Sequence, residues 1–170
     1  GAAGWNSAKD HESDPLLTVY SQGWWFENIH FGGRIKLSRT ADMMESGSHA
    51  EFRDCAFSGG SIGIEDSGGC TNVGVFGCQF YGFNKLGQTA IKSVPSPTGV
   101  AWPLWWEIIG NRFIWNSGHI KLDLSNGIVQ NNVFFYMGPE PDQPNIVALD
   151  LSGGQNNLVA HNNFVHSSHQ

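Results

Sequence analysis

The chain has 170 residues and a formal net charge of −6, with 40% hydrophobic and 14% charged residues. The hydrophobic content excludes a wholly disordered chain, and the length suffices for one domain with a buried core. The acidic balance and the absence of a Lys/Arg run argue against nucleic acid as a partner. No apolar run approaches the ~18 residues that a membrane-spanning helix needs, so we expect no membrane partner.

In chain order, the polar residues 1–14 form a predicted N-terminal lead-in, and strand-like apolar–polar alternation begins at residue 15. A six-residue motif that ends in Phe then recurs, and its final Phe residues are 26, 23, 33, 21 and 30 residues apart. The motifs occupy residues 26–31, 52–57, 75–80, 108–113, 129–134 and 159–164. A basic coil of about 21 residues with insertions of variable length explains these spacings.

A second strand-like segment lies between successive Phe motifs, and Gly- or Asn-rich turn residues often follow it. These segments are residues 17–21, 35–38, 62–65, 91–94, 120–125 and 147–152. Short strands at such a spacing predict an all-β chain that forms a right-handed, single-stranded parallel β-helix, a solenoid of about six coils. We place this β-helix domain at residues 15–166 and a short tail at residues 167–170.

The residue two positions before each Phe shows a pattern of its own. The six residues are Ile29, Cys55, Cys78, Asn111, Asn132 and Asn162. Because equivalent residues of neighbouring coils stack at the strand spacing, we predict that these side chains point inward as a ladder. The three Asn amides are expected to hydrogen-bond from coil to coil.

Two insertions, at residues 94–106 and 137–145, each contain three Pro and are therefore predicted to be projecting loops. The first contains Trp102, Trp105 and Trp106, whose flat apolar faces would suit the binding of sugar rings. The alternative is that these indoles fold back to cover the solenoid, as large aromatic side chains usually do.

The second strand offers the main candidate for chemistry. If its apolar residues point inward, Lys121 and Asp123 point outward, Lys92 stacks on Lys121, and Asp150 stacks on Asp123. Two carboxylates would then lie about 5 Å apart, which suits general acid–base catalysis of glycoside cleavage by Asp123, Asp150 and Lys121. The alternative is a solvated ladder in which Lys121 offsets the acids.

Other residues near this face are candidates for ligand binding. Glu65 is predicted to occupy the Asp123 position in an earlier coil, and Lys92 and His119 lie beside the same patch. No cofactor is predicted and no metal-site motif is present. Glu65, Asp66, Asp123 and Asp150 could still supply the oxygen ligands that Ca²⁺ prefers.

Residues 120–127, Ile-Lys-Leu-Asp-Leu-Ser-Asn-Gly, and residues 129–134, Val-Gln-Asn-Asn-Val-Phe, form a repeated cycle. This cycle resembles the pectate-lyase-like superfamily of parallel β-helices over nearly the whole of residues 15–166. Residues 16–39 and 48–80 resemble β-helix segments of bacteriophage tail and virion proteins. The resemblance implies glycan binding or cleavage, but the lyase signature and the polygalacturonase Asn-Thr-Asp pattern are missing.

We therefore expect a phage or virion structural module that binds a surface polysaccharide, located on the virion or otherwise secreted. The ends show no clear amphipathic cap, which favours a homotrimer or part of a larger virion assembly. One alternative is a carbohydrate-active enzyme, a glycoside hydrolase or polysaccharide lyase. The other alternative is a purely structural solenoid without a ligand.

Overall fold

A computed structural model describes residues 15–38, 47–67, 69–85, 87–93, 103–137, 147–151 and 153–167. All 18 elements in these ranges are β-strands, numbered β1 to β18 along the chain, which confirms the all-β prediction. The strands form three parallel sheets of six, and every third strand joins the same sheet. The predicted parallel solenoid of about six coils is therefore confirmed. Within these ranges no helix is long and apolar enough to cross a membrane.

Each coil contributes one strand to each sheet, and we name the sheets A, B and C in the order in which the chain visits them. Sheet A consists of β1 (Leu17–Val19), β4 (Ile35–Leu37), β7 (Ile62–Asp66), β10 (Thr89–Ser93), β13 (Gly118–Lys121) and β16 (Val147–Asp150). Sheet B consists of β2 (Trp25–Glu27), β5 (Glu51–Arg53), β8 (Gly74–Phe76), β11 (Glu107–Ile109), β14 (Ile128–Gln130) and β17 (Leu158–Ala160). Sheet C consists of β3 (His30–Phe31), β6 (Ala56–Ser58), β9 (Gln79–Tyr81), β12 (Arg112–Ile114), β15 (Val133–Met137) and β18 (Asn163–Ser167).

The repeated Phe residues form a continuous stack on the inner side of sheet C. They pair in register from coil to coil. The ring centroids of Phe57 and Phe80 are 4.6 Å apart, and those of Phe113 and Phe134 are 4.9 Å apart. This separation matches the strand spacing of a sheet, so one residue type repeated in one position produces a stacked core.

The predicted ladder is present on the inner side of the corner between sheets B and C. The Asn111 amide donates from Nδ2 to Asn132 Oδ1 at 3.0 Å, and Asn132 Nδ2 donates in turn to Asn162 Oδ1 at 3.0 Å. Cys55 and Cys78 continue the buried ladder in the earlier coils. Ile29 is the exception, because it lies in the first coil and is 40% exposed.

The two cysteine side chains hydrogen-bond to the same backbone carbonyl position, in the preceding coil, as the asparagine side chains do. Asn111 Nδ2 donates to the carbonyl of Val75 in the preceding coil at 2.9 Å. The Cys78 thiol donates to the equivalent carbonyl of Phe52 at 3.5 Å. A thiol is a weaker donor than an amide, yet it fills the position without leaving a buried carbonyl unpaired.

The corners of the coils are made by residues in the left-handed backbone region. Between sheets B and C these are Asn28, Asp54, Gly77, Gly110, Asn131 and His161. His161 has φ 53°, so it is a turn residue like Asn28 and Asn131. Gly, Asn, Asp and His are the residue types that tolerate this conformation best, which explains their repetition at one position.

Candidate functional site

The outer face of sheet A carries a column of charged side chains, one from each of five successive coils. This charged column is Lys36, Glu65, Lys92, Lys121 and Asp150, as the strand register pairs them. The predicted stacking of Lys92 on Lys121 is confirmed. The inward direction of the apolar residues is also confirmed, because Ile120, Leu122 and Leu124 are each at most 1% exposed.

The predicted stacking of Asp150 on Asp123 is wrong, because Asp150 lies opposite Lys121. Glu65 likewise does not share the Asp123 position and instead pairs with Lys36 and Lys92. The paired residues Lys121 and Asp150 are 29 residues apart in the chain, whereas a pairing of Asp123 with Asp150 requires 27. Both strands repeat an apolar–polar pattern with a period of two, so a shift of two residues preserves which side chains point inward. The pattern therefore could not detect the error.

The two carboxylates proposed for catalysis consequently have separate environments. Asp150 Oδ2 lies 3.7 Å from Lys121 Nζ, in a salt bridge whose Lys121 side chain is 62% exposed. The backbone N–H of Asp123 donates to Ser93 Oγ at 3.0 Å. The Asp123 carboxylate packs against Gly153 of the last coil so closely that any side chain at position 153 would clash with it. The register thus removes the facing pair on which the acid–base hypothesis depended.

Glu65 is the most enclosed member of the charged column, with 5% exposure. Arg34 Nη1 lies 2.8 Å from Glu65 Oε2, and Lys36 Nζ lies 3.9 Å from Glu65 Oε1. Two cations therefore balance one buried carboxylate, the arrangement that a buried charge requires. In the part of the chain that the structure describes, Lys92 forms no ion pair of 4 Å or less.

The tryptophans of the first insertion occupy different environments. Trp106 is fully buried, and its indole N–H donates to the Cys70 carbonyl at 2.8 Å, so this side chain covers the solenoid. Trp105 is 52% exposed. Trp102 lies outside the described residues.

A second exposed indole, which the sequence did not single out, belongs to Trp115. This side chain is 42% exposed and packs against Tyr81 of the neighbouring coil, with ring centroids 5.4 Å apart. Trp105 lies in the corner between the sheet A strand β10 and the sheet B strand β11 of the fourth coil. Trp115 lies in the corner between the sheet C strand β12 and the next sheet A strand, β13, of the fifth coil. Trp105 and Trp115 therefore flank, on opposite sides, the part of sheet A that carries Lys92 and Lys121.

Trp105 and Trp115 both have left-handed backbones, with φ 54° at Trp105 and 55° at Trp115. In the other five coils the position equivalent to Trp105, two residues before the sheet B strand, holds Gly23, His49, Asn72, Asn126 and Asn156, all with positive φ. In the described part of the corner between sheets C and A, the other residues with positive φ are Gly59, Gly60, Gly82 and Gly87. The left-handed conformation destabilises a residue with a bulky side chain by roughly 1–2 kcal/mol. Tryptophan is therefore an unfavourable choice at both positions.

His119 lies inside the solenoid rather than on the face beside Lys121, and its ring is fully buried. The ring centroid lies 5.9 Å from that of Phe113 and 5.5 Å from that of Phe134. Burial lowers the pKa of His119 from 6.5 to about 4, since the charged imidazolium would lose its hydration. His119 is therefore neutral in the folded protein at neutral pH.

The outer face of sheet B carries another aromatic cluster that the sequence did not reveal. The Arg53 guanidinium lies over two rings from the adjacent coils, 5.3 Å from the Trp25 ring centroid and 5.1 Å from that of Phe76. Trp25 is 62% exposed. This indole has an ordinary strand backbone and a cation–π partner, so its position is explained by packing.

The carboxylates considered for Ca²⁺ do not form a common site. Glu65 lies in the third coil and Asp150 in the sixth, on different strands of sheet A. Across the described ranges, no group of three or more His, Cys, Asp or Glu side chains is placed to hold a metal ion.

No family model, curated protein or solved structure matches this chain. The fold assignment therefore depends on the register of the three parallel sheets.

Proposed function

We propose that the chain is a non-catalytic β-solenoid module of a virion surface protein, of the bacteriophage tail type, that binds a surface polysaccharide. Membership of the pectate-lyase-like superfamily is part of this proposal. The sequence cycle of residues 120–134 and the parallel stacking of three sheets support it.

The observation that carries the proposal is the exposure of Trp105 and Trp115 in left-handed corner positions. Other coils fill these positions with small or polar residues that tolerate the conformation. An exposed indole at such a position lowers stability and leaves apolar area in water, so its retention points to a ligand. Sugar rings offer the flat apolar faces that pair with indoles.

The outer face of sheet A between these corners supplies polar groups for a polysaccharide. Lys92 and Lys121 lie on adjacent strands of this face. A binding surface with aromatic edges and a few hydrogen-bonding groups between them fits a carbohydrate better than an apolar ligand. The separated environments of Asp123 and Asp150 favour binding over cleavage.

Replacing Trp105 and Trp115 together by Asn tests this function. Asn already occupies the position of Trp105 in three other coils, so Trp105→Asn should preserve the fold. The position of Trp115 is filled by Gly in other coils, and Asn also tolerates the left-handed backbone, so Trp115→Asn should preserve the fold as well. The purified chain is run in affinity electrophoresis against bacterial capsular and O-antigen polysaccharides, and the affinity of each bound glycan is measured by calorimetry. The double variant is expected to bind at least tenfold more weakly. Trp25→Ala, which removes an exposed indole from sheet B, is the matched control and should bind normally.

Retention of full affinity by the double variant would refute the proposal. Equal weakening by Trp25→Ala would also refute it, because the loss would then not be specific to the sheet A face. Binding of no polysaccharide by the wild-type chain would favour the purely structural alternative.

The proposed assembly is a homotrimer or a part of a larger virion complex. Sheet C supports it with an outward apolar column that runs through four successive coils. This column is Tyr81, Ile114, Phe135 and Val165. Light scattering of the purified chain gives its mass, and a monomer at high concentration would contradict the homotrimer.

A further inference from the structure

We infer that the polysaccharide is acidic and that Lys92 binds its carboxylate or sulfate group, an inference that rests on the proposed function of the sheet A face. Lys92 is the member of the charged column whose charge is not balanced within the described residues. It lies on β10 in the fourth coil, between the corners occupied by Trp105 and Trp115. A ligand in contact with both indoles therefore crosses the column at this point.

Neither register neighbour of Lys92 forms an ion pair of 4 Å or less with it. On one side Glu65 already contacts Arg34 and Lys36 and is 5% exposed. On the other side Lys121, a like charge, stacks directly on Lys92. Like charges opposite each other in a sheet are destabilising, so an anion between the two ammonium groups would relieve their repulsion.

Two carboxylates of this part of the chain, those of Asp150 and Asp123, are directed toward the sixth coil. Asp150 belongs to the sixth coil and pairs with Lys121 Nζ at 3.7 Å. The Asp123 carboxylate packs against Gly153, which also belongs to the sixth coil. Both acids are therefore displaced from Lys92 toward the last coil, and the fourth coil presents a local positive charge on a chain whose net charge is −6.

The test uses hyaluronan, alginate and heparin, the carboxyl-reduced forms of the first two, and neutral dextran as probes. The wild-type chain should bind at least one acidic polysaccharide and bind its uncharged counterpart at least tenfold more weakly. Lys92→Gln should weaken binding of the acidic glycan about tenfold and should reduce its salt dependence. Lys85→Gln, which removes an equal charge from an exposed position between sheets C and A, is the matched control and should bind normally.

Four outcomes separate this inference from the proposed function. Selective loss in Lys92→Gln with normal binding by Lys85→Gln supports the anion site. Equal binding of acidic and uncharged glycans that still requires Trp105 and Trp115 overturns the anion site and leaves the proposed function intact. Equal losses in the two Lys variants overturn the site, because they indicate a general charge effect. Binding of an acidic glycan that ignores both the Lys92 and the Trp substitutions overturns both proposals.

Discussion

Acid should destabilise this solenoid through His119, a buried imidazole. The orientation of the neighbouring Asn116 amide is determined by the Phe83 N–H, which donates to Asn116 Oδ1 at 3.0 Å. Asn116 Nδ2 therefore faces His119 Nδ1, 3.2 Å away, and Nδ1 must accept a hydrogen bond. Protonation of Nδ1 would place two donors against each other in an apolar site. The neutral ring already leaves Nε2 without a partner among the described atoms.

The size and direction of the effect follow from the two pKa values of His119. The pKa is lowered by burial from 6.5 to about 4 in the folded protein, so only the unfolded chain binds a proton between these values. Stability is therefore full above pH 6.5 and declines as the pH falls toward about 4. One pKa unit corresponds to about 1.4 kcal/mol, so the total loss is roughly 3 kcal/mol.

The assay is urea unfolding followed by circular dichroism at pH values from 8 to 4, applied to the wild type and to His119→Leu. Carboxylates also titrate in this range, so the informative quantity is the difference between the two stability curves. That difference should change by roughly 3 kcal/mol in favour of the variant as the pH falls. His161→Asn, at an exposed turn position, is the control for the loss of a histidine. If the His119→Leu curve runs parallel to that of the wild type, the His119 imidazole is not held neutral and the reasoning is wrong.

Three further predictions concern the interior. Asn132→Leu should lower the free energy of unfolding by about 3 kcal/mol or more in a thermal melt, because it leaves the Asn111 N–H and the Ile108 carbonyl buried and unpaired. The buried thiols should resist iodoacetamide at neutral pH until the chain unfolds, as mass spectrometry can check, since burial raises the pKa of Cys55 and raises that of Cys78 to about 12. Trp106→Ala should lower stability by about 3–5 kcal/mol in urea unfolding, whereas Trp105→Asn should change it by less than about 1 kcal/mol because relief of strain offsets the lost contacts.

The fold was predictable because its main contacts repeat at equivalent positions. A Phe that recurs at the end of one motif stacks on its own equivalents in the neighbouring coils. The Asn ladder is predictable for the same reason, since one side chain in successive coils both donates to and accepts from the next. Such contacts require only that the residue type be repeated, and repetition is visible in a sequence.

The charged face was less predictable because its contacts depend on register. The alternation that identifies a strand is unchanged by a shift of two residues, and the error placed Asp150 opposite Asp123 instead of Lys121. The environment of Trp106 could not be predicted either. Its burial depends on the Cys70 carbonyl, a hydrogen-bond partner 36 residues earlier in the chain.

Exceptions to the repeat separate structural positions from functional ones in this solenoid. Cys78 replaces Asn in the ladder, and its thiol still reaches the carbonyl that the amide would have reached, so this exception needs no ligand. Trp105 and Trp115 replace Gly, Asn or His in the corners, and neither the left-handed backbone nor the exposure of the ring is favourable there. Lys92 stacks on a like charge without an ion pair in the described chain. These three unfavourable exceptions lie on or beside the sheet A strands of the fourth and fifth coils, whereas independent accidents of packing would be scattered among the coils. Their common location is the reason to look for the ligand on this face.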